Sequence, residues 1–306
     1  MTEYHTFIPM VHAAIVKIGI DTSICTPTRA AQIADVGTKM SSIIGPLWRT
    51  CEPAIGQIVE SAFDRADTSV RSLADVGIDT MMIIFGAPPW ATTTGTTCGP
   101  VSPLYYYNYA DFVQRVVKRY PAVKYFQVWN EPDTTDNVGS TDFWGCWSDP
   151  STMANMLSIV YPAIKAVRPD AQVMIGLGMF QGGELDWLPS FLNCGGGSYF
   201  DIAAFHHYVF WKDPAPPLFG DRVAHIRNNL VAKGLTQPIW VTETNLLTHE
   251  FADDTFERAK AAFWKDLPSQ ASQCKIPMLI GYSWDNTWNN CKIRGTYTED
   301  VFRSFF

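Results

Sequence analysis

Short apolar, β-branched runs alternate with longer stretches of helical periodicity from one end of the chain to the other. Eight runs read as strands, at residues 16–22, 39–44, 80–85, 124–130, 172–177, 201–208, 238–244 and 277–284. Between them apolar positions recur every three or four residues. Phe63, Ala66, Val70, Leu73 and Ala74 form one such stripe, ending at Gly77, where a left-handed cap suits glycine. Tyr109, Phe112, Val113, Val116, Val117 and Tyr120 form a second, closed by Pro121. Met153, Met156, Leu157, Val160, Ile164 and Val167 form a third, with Ser151 as the expected N-cap. Phe256, Ala259, Phe263 and Leu267 form a fourth, behind Asp253 and Asp254, whose charges suit the positive end of a helix.

Strand followed by helix or long loop, eight times over, predicts an α/β protein: a single-domain (β/α)8 TIM barrel spanning residues 1–306. An open doubly wound sheet would more often carry a glycine-rich first turn, and neither GxGxxG nor a P-loop occurs. The last unit is the weak one. After residue 284 the chain runs through Asn289, Asn290 and Gly295 to a short segment, 299–306, that reads as an abbreviated eighth helix.

Composition narrows the function. A net charge of -7 with no Lys/Arg block argues against nucleic acid or an anionic membrane as partner. Residues 7–20 are interrupted by His12 and Lys17 and lack a small-residue cleavage site, so neither a membrane span nor a signal peptide is expected there. The 11 tryptophans suit a large aromatic core or a cleft that stacks on flat ligand faces. The seven cysteines are scattered singly, without the close pairs of zinc or redox motifs. On a barrel, Cys98 and Cys146 fall in neighbouring loops of one face. Cys25 and Cys291 follow the first and last strands, so each of these pairs could bridge. If both do, the protein matures in an oxidising compartment, and a secreted or extracellular location is the expectation.

Chemistry concentrates where barrel strands end, because the strand C-termini and the loops after them build the active sites of this fold. The fourth strand ends in Trp129-Asn130-Glu131-Pro132, the seventh in Thr242-Glu243-Thr244-Asn245. Counting back by the strand period, Glu243 shares a face with Val241 and Ile239; if those two fill the interior, Glu243 points inward at the mouth. Two carboxylates on strands so far apart in sequence converge only in a closed barrel. Such a pair is what glycoside hydrolysis needs: one carboxyl protonates the leaving oxygen, the other attacks the anomeric carbon. The charge of Glu243 is expected to raise the pKa of Glu131 and keep it protonated.

These two strand ends resemble the signatures of clan A glycoside hydrolases, particularly the branch around family 39 with its β-xylosidases and endoglycosidases. Supporting matches are Leu47-Trp48 with Glu52-Pro53, Pro88-Pro89-Trp90, His206-His207-Tyr208 and Ser283-Trp284. The resemblance implies a retaining hydrolase of a β-linked glycan with Glu131 as acid/base and Glu243 as nucleophile. It further implies Asn130 on the sugar 2-hydroxyl, His206 and Tyr208 orienting the nucleophile or lining the subsite, and Trp284 as its floor. Trp90 is a further candidate wall. No metal or organic cofactor is expected, and the partner is an oligo- or polysaccharide. One departure stands out: clan A members usually carry an arginine near the end of the second strand that bonds the nucleophile. Here that stretch reads Lys39-Met40-Ser41-Ser42-Ile43-Ile44, with Arg49 a few residues later as the nearest replacement.

Bland alternatives exist for each residue. His206 can be a satisfied core histidine, with His207 facing the other way by strand alternation. Trp284 and Trp90 can be lids on the core, and Trp144, Trp147, Trp211 and Trp288 are loop residues as fit for packing as for stacking. The alternatives in function are a transglycosylase on the same site and a non-catalytic carbohydrate-binding barrel. A metal hydrolase is disfavoured because no HxH pair ends the first strand. Sugar, linkage and exo or endo cleavage stay open.

Overall fold

A computed structural model describes residues 15–97, 99–134, 147, 149–178 and 184–306, with 184 and 185 described by their backbone alone. Eight parallel strands close into a barrel in chain order: β1 (Lys17–Ser23), β2 (Met40–Ile44), β3 (Asp79–Ile84), β4 (Tyr125–Val128), β5 (Gln172–Leu177), β6 (Ile202–Phe210), β7 (Ile239–Leu247) and β8 (Met278–Gly281). The ring is shut by β1 against β8, in register from Lys17 opposite Met278 to Ile20 opposite Gly281. All eight expected strands are present, shifted by one to three residues at their ends, apart from β5, which coincides with its expected range.

The surrounding helices are α1 (Pro27–Val36), α2 (Trp48–Cys51), α3 (Asp64–Asp75), α4 (Tyr106–Arg119), α5 (Pro150–Val167), α6 (Glu184–Asn193), α7 (Phe219–Ala232), α8 (Asp254–Gln273) and α9 (Tyr297–Arg303). All four apolar stripes lie on helices, and their buried residues pack against the sheet. Capping chemistry sets several starts. Asp253 accepts the Phe256 N–H at the head of α8, and Thr26 accepts that of Arg29 at α1. The cap of α5 differs from expectation: it is Asp149, accepting from the Ser151 N–H, because Pro150 takes the first helical position, where its missing N–H costs nothing. The short last helix is real. α9 puts Phe302 into the core, where its ring meets Trp264 of α8 at 4.6 Å, and the space is so tight that a methyl on Gly281 of β8 would collide with it.

The expected Cys25–Cys291 bridge does not form. Both thiols are free and buried: Cys25 donates weakly to the Thr26 carbonyl, Cys291 to that of Asn286. At Cys291 the chain is tied to β7, Asn245 Nδ2 donating to the Cys291 carbonyl. Cys98 and Cys146 lie outside the described residues. The oxidising-compartment expectation loses the support of the first bridge.

Because α9 is the last buttress of the barrel, Phe302→Ala is expected to cost about 3–5 kcal/mol of unfolding free energy. Urea denaturation checks this; a loss below about 1 kcal/mol would mean that α9 merely rests on the surface.

Candidate active site

Alternation along each strand decides what enters the barrel, and the two strands that carry the glutamates break it. On β4 the Gln127 side chain points inward, and a methyl on Gly176 of β5 would lie within 2.5 Å of its amide atoms, so only glycine leaves it room. Gln127 Nε2 donates to Asn130 Oδ1 at 2.9 Å and to the Trp129 carbonyl, and Thr242 reaches its Oε1 from across the barrel. Beyond β4 the chain turns with positive φ at Trp129 (68°) and again at Glu131 (47°), each worth about 1–2 kcal/mol of strain for a non-glycine residue. Trp129 is held in that turn by ring contacts with Tyr109 and Trp147, and Glu131 by its N–H to the Gly176 carbonyl. The turn delivers both Asn130 and Glu131 to the mouth.

On β7 the route to Glu243 is not the simple count. Trp240 meets Tyr125 of β4 at 4.9 Å, and Thr242 bonds Gln127 of the same distant strand, so the even positions face inward. Ile239 and Val241 therefore face the helices, against expectation. Glu243 is brought inward by a β-bulge: Phe205 pairs with Val241 but His206 with Glu243, which leaves Thr242 as the extra residue. The expected orientation is right; the expected reason is not.

β6 keeps strict alternation. Phe205 and His207 turn outward onto Phe219 of α7, while His206 and Tyr208 turn inward. His206 Nδ1 lies 2.5 Å from Glu131 Oε1 and 3.5 Å from Glu243 Oε2. The Tyr208 hydroxyl donates to Glu243 Oε2 at 2.6 Å. Glu131, His206 and Glu243 thus each present one atom within 4.8 Å of the others', an approach of the two carboxyls that suits the close retaining arrangement better than the wider inverting one. The same three atoms could ligate a divalent ion, which would have to displace the proton between His206 and Glu131.

Electrostatics follow from burial. Burial pushes Glu243 up to about 7, with the charges of Glu131 and Asp21 adding to the rise and His206 and the Tyr208 hydroxyl opposing it. Burial likewise holds His206 below its ordinary value and Tyr208 well above.

A cavity of about 410 Å³ opens over the pair, lined among others by Asp21, Asn130, Glu131, Tyr208, Glu243, Tyr282 and Trp288, with Ile44, Ile83 and Phe85 along one side. A hollow of about 470 Å³ at the opposite end of the barrel, around Met40, Tyr125, Trp240 and Phe306, holds no carboxylate pair. Two expected wall residues are not in the lining. Trp284 is buried with its indole N–H on Gln32 of α1, because β8 ends at Gly281 and the chain then crosses β1, the Trp284 N–H bonding the Asp21 carbonyl. Trp90 packs edge-on against Trp48 and Tyr105, its N–H on the Glu52 carbonyl. Arg49, half-buried on α2, does not line the cavity either; Tyr208 and His206 are the groups that hold Glu243. Sequence reasoning missed Asp21 and Tyr282. Tyr282 directly follows β8 and Asp21 lies in the last residues of β1, so position near a strand end was the available signal. Of the loop tryptophans, Trp288 alone among the described ones lines the cavity, at 45% exposure; Trp147 is buried, Trp211 packs on Phe256, and Trp144 lies outside the described residues.

The family model described as "Glycosyl hydrolase catalytic core" matches residues 106–284, more than half the chain and both glutamates. The chain belongs to this glycosyl hydrolase family. Among solved structures, this glycosyl hydrolase is similar to a family 39 glycoside hydrolase from the gut symbiont Bacteroides cellulosilyticus, at 18% identity and a TM-score of 0.66 over 96% of this chain and 64% of that one. It thus spans somewhat less than two thirds of that protein. A family 30 subfamily 8 xylanase, Xyn30A, from Clostridium acetobutylicum aligns at 14% identity and a TM-score of 0.66 over 95% and 71% of the respective chains. The intracellular xylanase TsXylA from Thermoanaerobacterium saccharolyticum aligns at 14% identity and a TM-score of 0.63 over 94% and 95%. At such identities the likeness is one of fold. No protein of curated function matches the sequence.

Ionised Glu243 is disfavoured in the folded state, since its value stands at about 7 against an ordinary 4.5. Its contribution to stability is therefore full below about 4.5 and is lost as the pH rises through about 7. Glu243→Gln removes that loss, so the variant is expected to gain on the parent between pH 4.5 and 8, by on the order of 2–3 kcal/mol. Melting curves across this range test it, and a difference independent of pH would contradict the raised value.

Proposed function

We propose that this glycosyl hydrolase cleaves a β-linked glycan with retention, Glu243 acting as nucleophile and Glu131 as acid/base. The observation that carries the reading is the approach of the two carboxyls to within 4.8 Å across one cavity mouth. In the first step Glu131 gives its proton to the glycosidic oxygen as the C1–O bond breaks, and a Glu243 oxygen bonds C1 from the other face. In the second, Glu131, now a carboxylate, takes a proton from water; the water oxygen bonds C1 and Glu243 leaves as carboxylate. Tyr208, bonded to Oε2, holds the nucleophile and stabilises its charge whenever it is free. His206, buried and neutral, bridges the pair and can follow the proton on Glu131. Asn130, locked by Gln127, is placed to meet the sugar 2-hydroxyl, its NH2 free to donate because its oxygen accepts from Gln127. Tyr282 and Trp288 take the aromatic positions that Trp284 was expected to fill.

The substrate class proposed is a β-1,4-linked pyranoside oligo- or polysaccharide. The apolar side of Ile44, Ile83 and Phe85, with Trp288 at the rim, suits the faces of such sugars. Structures of similar fold include the two xylanases above and an exo-β-1,4-mannosidase, which supports the same class.

Glu243→Gln is expected to lower kcat by several orders of magnitude, since the covalent route disappears. Glu131→Ala is expected to impair oligosaccharides far more than activated aryl glycosides, because only a poor leaving group needs the proton. Kinetics on both substrate types, with mass spectrometry after incubation with 2-deoxy-2-fluoro glycosides, check the assignment. An adduct on a residue other than Glu243, or equal losses on both substrate types, would overturn it.

A further inference from the structure

A third carboxylate sits in the cavity beyond the catalytic pair. Asp21 lies two residues before the end of β1, opposite Ser42 of β2, and shares the cavity with Asn130. It is 2% exposed. Its Oδ1 accepts from the Ser23 hydroxyl at 2.9 Å and its Oδ2 from the Ser42 hydroxyl at 2.6 Å. The Ser23 backbone N–H is a third donor to it; a carboxylate offers about four acceptor sites, so one is left for a donor in the cavity that Asp21 lines. Among the described residues of the lining there is no lysine or arginine, and His206, the histidine whose charge would act on Asp21, is held neutral by burial.

Holding two serine hydroxyls does not by itself call for a charge; a neutral amide oxygen could accept from both, and the Ser23 N–H is the only donor it would leave over. A buried carboxylate without a cation costs stability, and burial accordingly pushes Asp21 up to about 6. Residues that destabilise a fold while facing its reaction cavity are where function is kept at the expense of stability.

We propose that Asp21 is a substrate-binding residue that accepts a hydrogen bond from a glycone hydroxyl remote from the anomeric carbon, so that the pocket takes a neutral sugar and rejects uronates and sulfated units. The inference rests on the glycosidase reading above. A hydroxyl donor meets the unspent acceptor site of Asp21, while Asn130 meets the sugar from the β4 side. An anionic substituent in the same place would face Asp21, Glu131 and Glu243 with no lysine or arginine among the described lining residues, and like charges at short range repel strongly in a low-dielectric cavity.

The test uses the whole chain with Asp21→Asn and Asp21→Ala. Substrates are β-1,4-linked xylo-, gluco- and manno-oligosaccharides, their 4-nitrophenyl β-glycosides, mono-deoxy analogues of whichever is cleaved best, and 4-nitrophenyl β-D-glucuronide. Asp21→Ala is expected to lower kcat/KM on the parent sugar about 10- to 100-fold, yet less than about threefold on the one analogue that lacks the contacted hydroxyl. Asp21→Asn is expected to narrow the preference for glucoside over glucuronide about tenfold or more, and to melt no lower than the parent protein. A purely structural Asp21 would give the same loss on every analogue, unchanged discrimination against the glucuronide and a lower melting temperature; that pattern overturns the proposal. Labelling of Glu243 by a 2-fluoro glycoside separates the two readings: an adduct together with equal losses sinks Asp21 alone, whereas no adduct and no cleavage of any substrate sinks both.

Discussion

Closure of the sheet between β1 and β8 is the constraint on which the rest depends. Four ladder pairs, Lys17–Met278 to Ile20–Gly281, turn an open parallel sheet into a ring, and a ring has an inside. Only then do the ends of β4 and β7 face one another rather than point along a common edge. The same closure excludes water, which makes each buried charge at the mouth costly and therefore chemically poised. α9, seven residues long, serves that closure directly by packing Phe302 behind Gly281 of β8. A truncated final helix suffices because its task is to cover the outside of one strand.

A regular strand cannot place a chosen pair of residues at the rim. Its period of two sends each neighbour the opposite way, and the ladder fixes its height. The barrel escapes this rule differently on the two strands that matter. β4 abandons the strand after Val128 and turns through two left-handed residues, so that consecutive residues, Asn130 and Glu131, both reach the cavity. β7 stays a strand but inserts Thr242, so that Thr242 holds the interior amide of Gln127 while Glu243 still faces in. Gln127 joins the two devices. It bonds Asn130 on its own strand and accepts from Thr242 across the barrel, in space that Gly176 leaves empty. The strained turn and the bulge are thus braced against each other through one amide.

Much of this is legible in sequence because it rests on periodicity. Eight apolar runs and four helical stripes are repeated signals, and a slip of a residue or two at an end does not change their number. The two glutamates are legible because a carboxylate at the end of an apolar strand is hard to explain otherwise. What escapes is whatever depends on a break in period. The bulge at Thr242 leaves no mark in composition, so counting back from Glu243 assigns Val241 the wrong face. Trp284 comes two residues after Tyr282 and looks like its equal on a strand that in fact ends at Gly281, so Tyr282 enters the cavity and Trp284 goes under α1. Asp21 is invisible for a related reason: a single acid in Gly-Ile-Asp-Thr-Ser has only the short polar Ser23 beside it in sequence, and its other partner, Ser42, lies on the next strand.

The arginine expected to hold the nucleophile has no counterpart on β2, and neutral donors take its place with a consequence for the charge of Glu243. An arginine would keep Glu243 ionised by charge as well as by hydrogen bonds. Tyr208 offers one strong hydrogen bond and His206, held neutral by burial, little charge, so burial dominates and Glu243 rises to about 7. With Glu243 raised and Glu131 close by through His206, a proton rests on Glu243 below about pH 7. A substrate bound between them biases which oxygen carries it: the glycosidic oxygen approaches Glu131, the anomeric carbon with its growing positive charge approaches Glu243. The division of labour between acid and nucleophile is then completed by the sugar itself, from a site whose geometry is preset but whose proton is not.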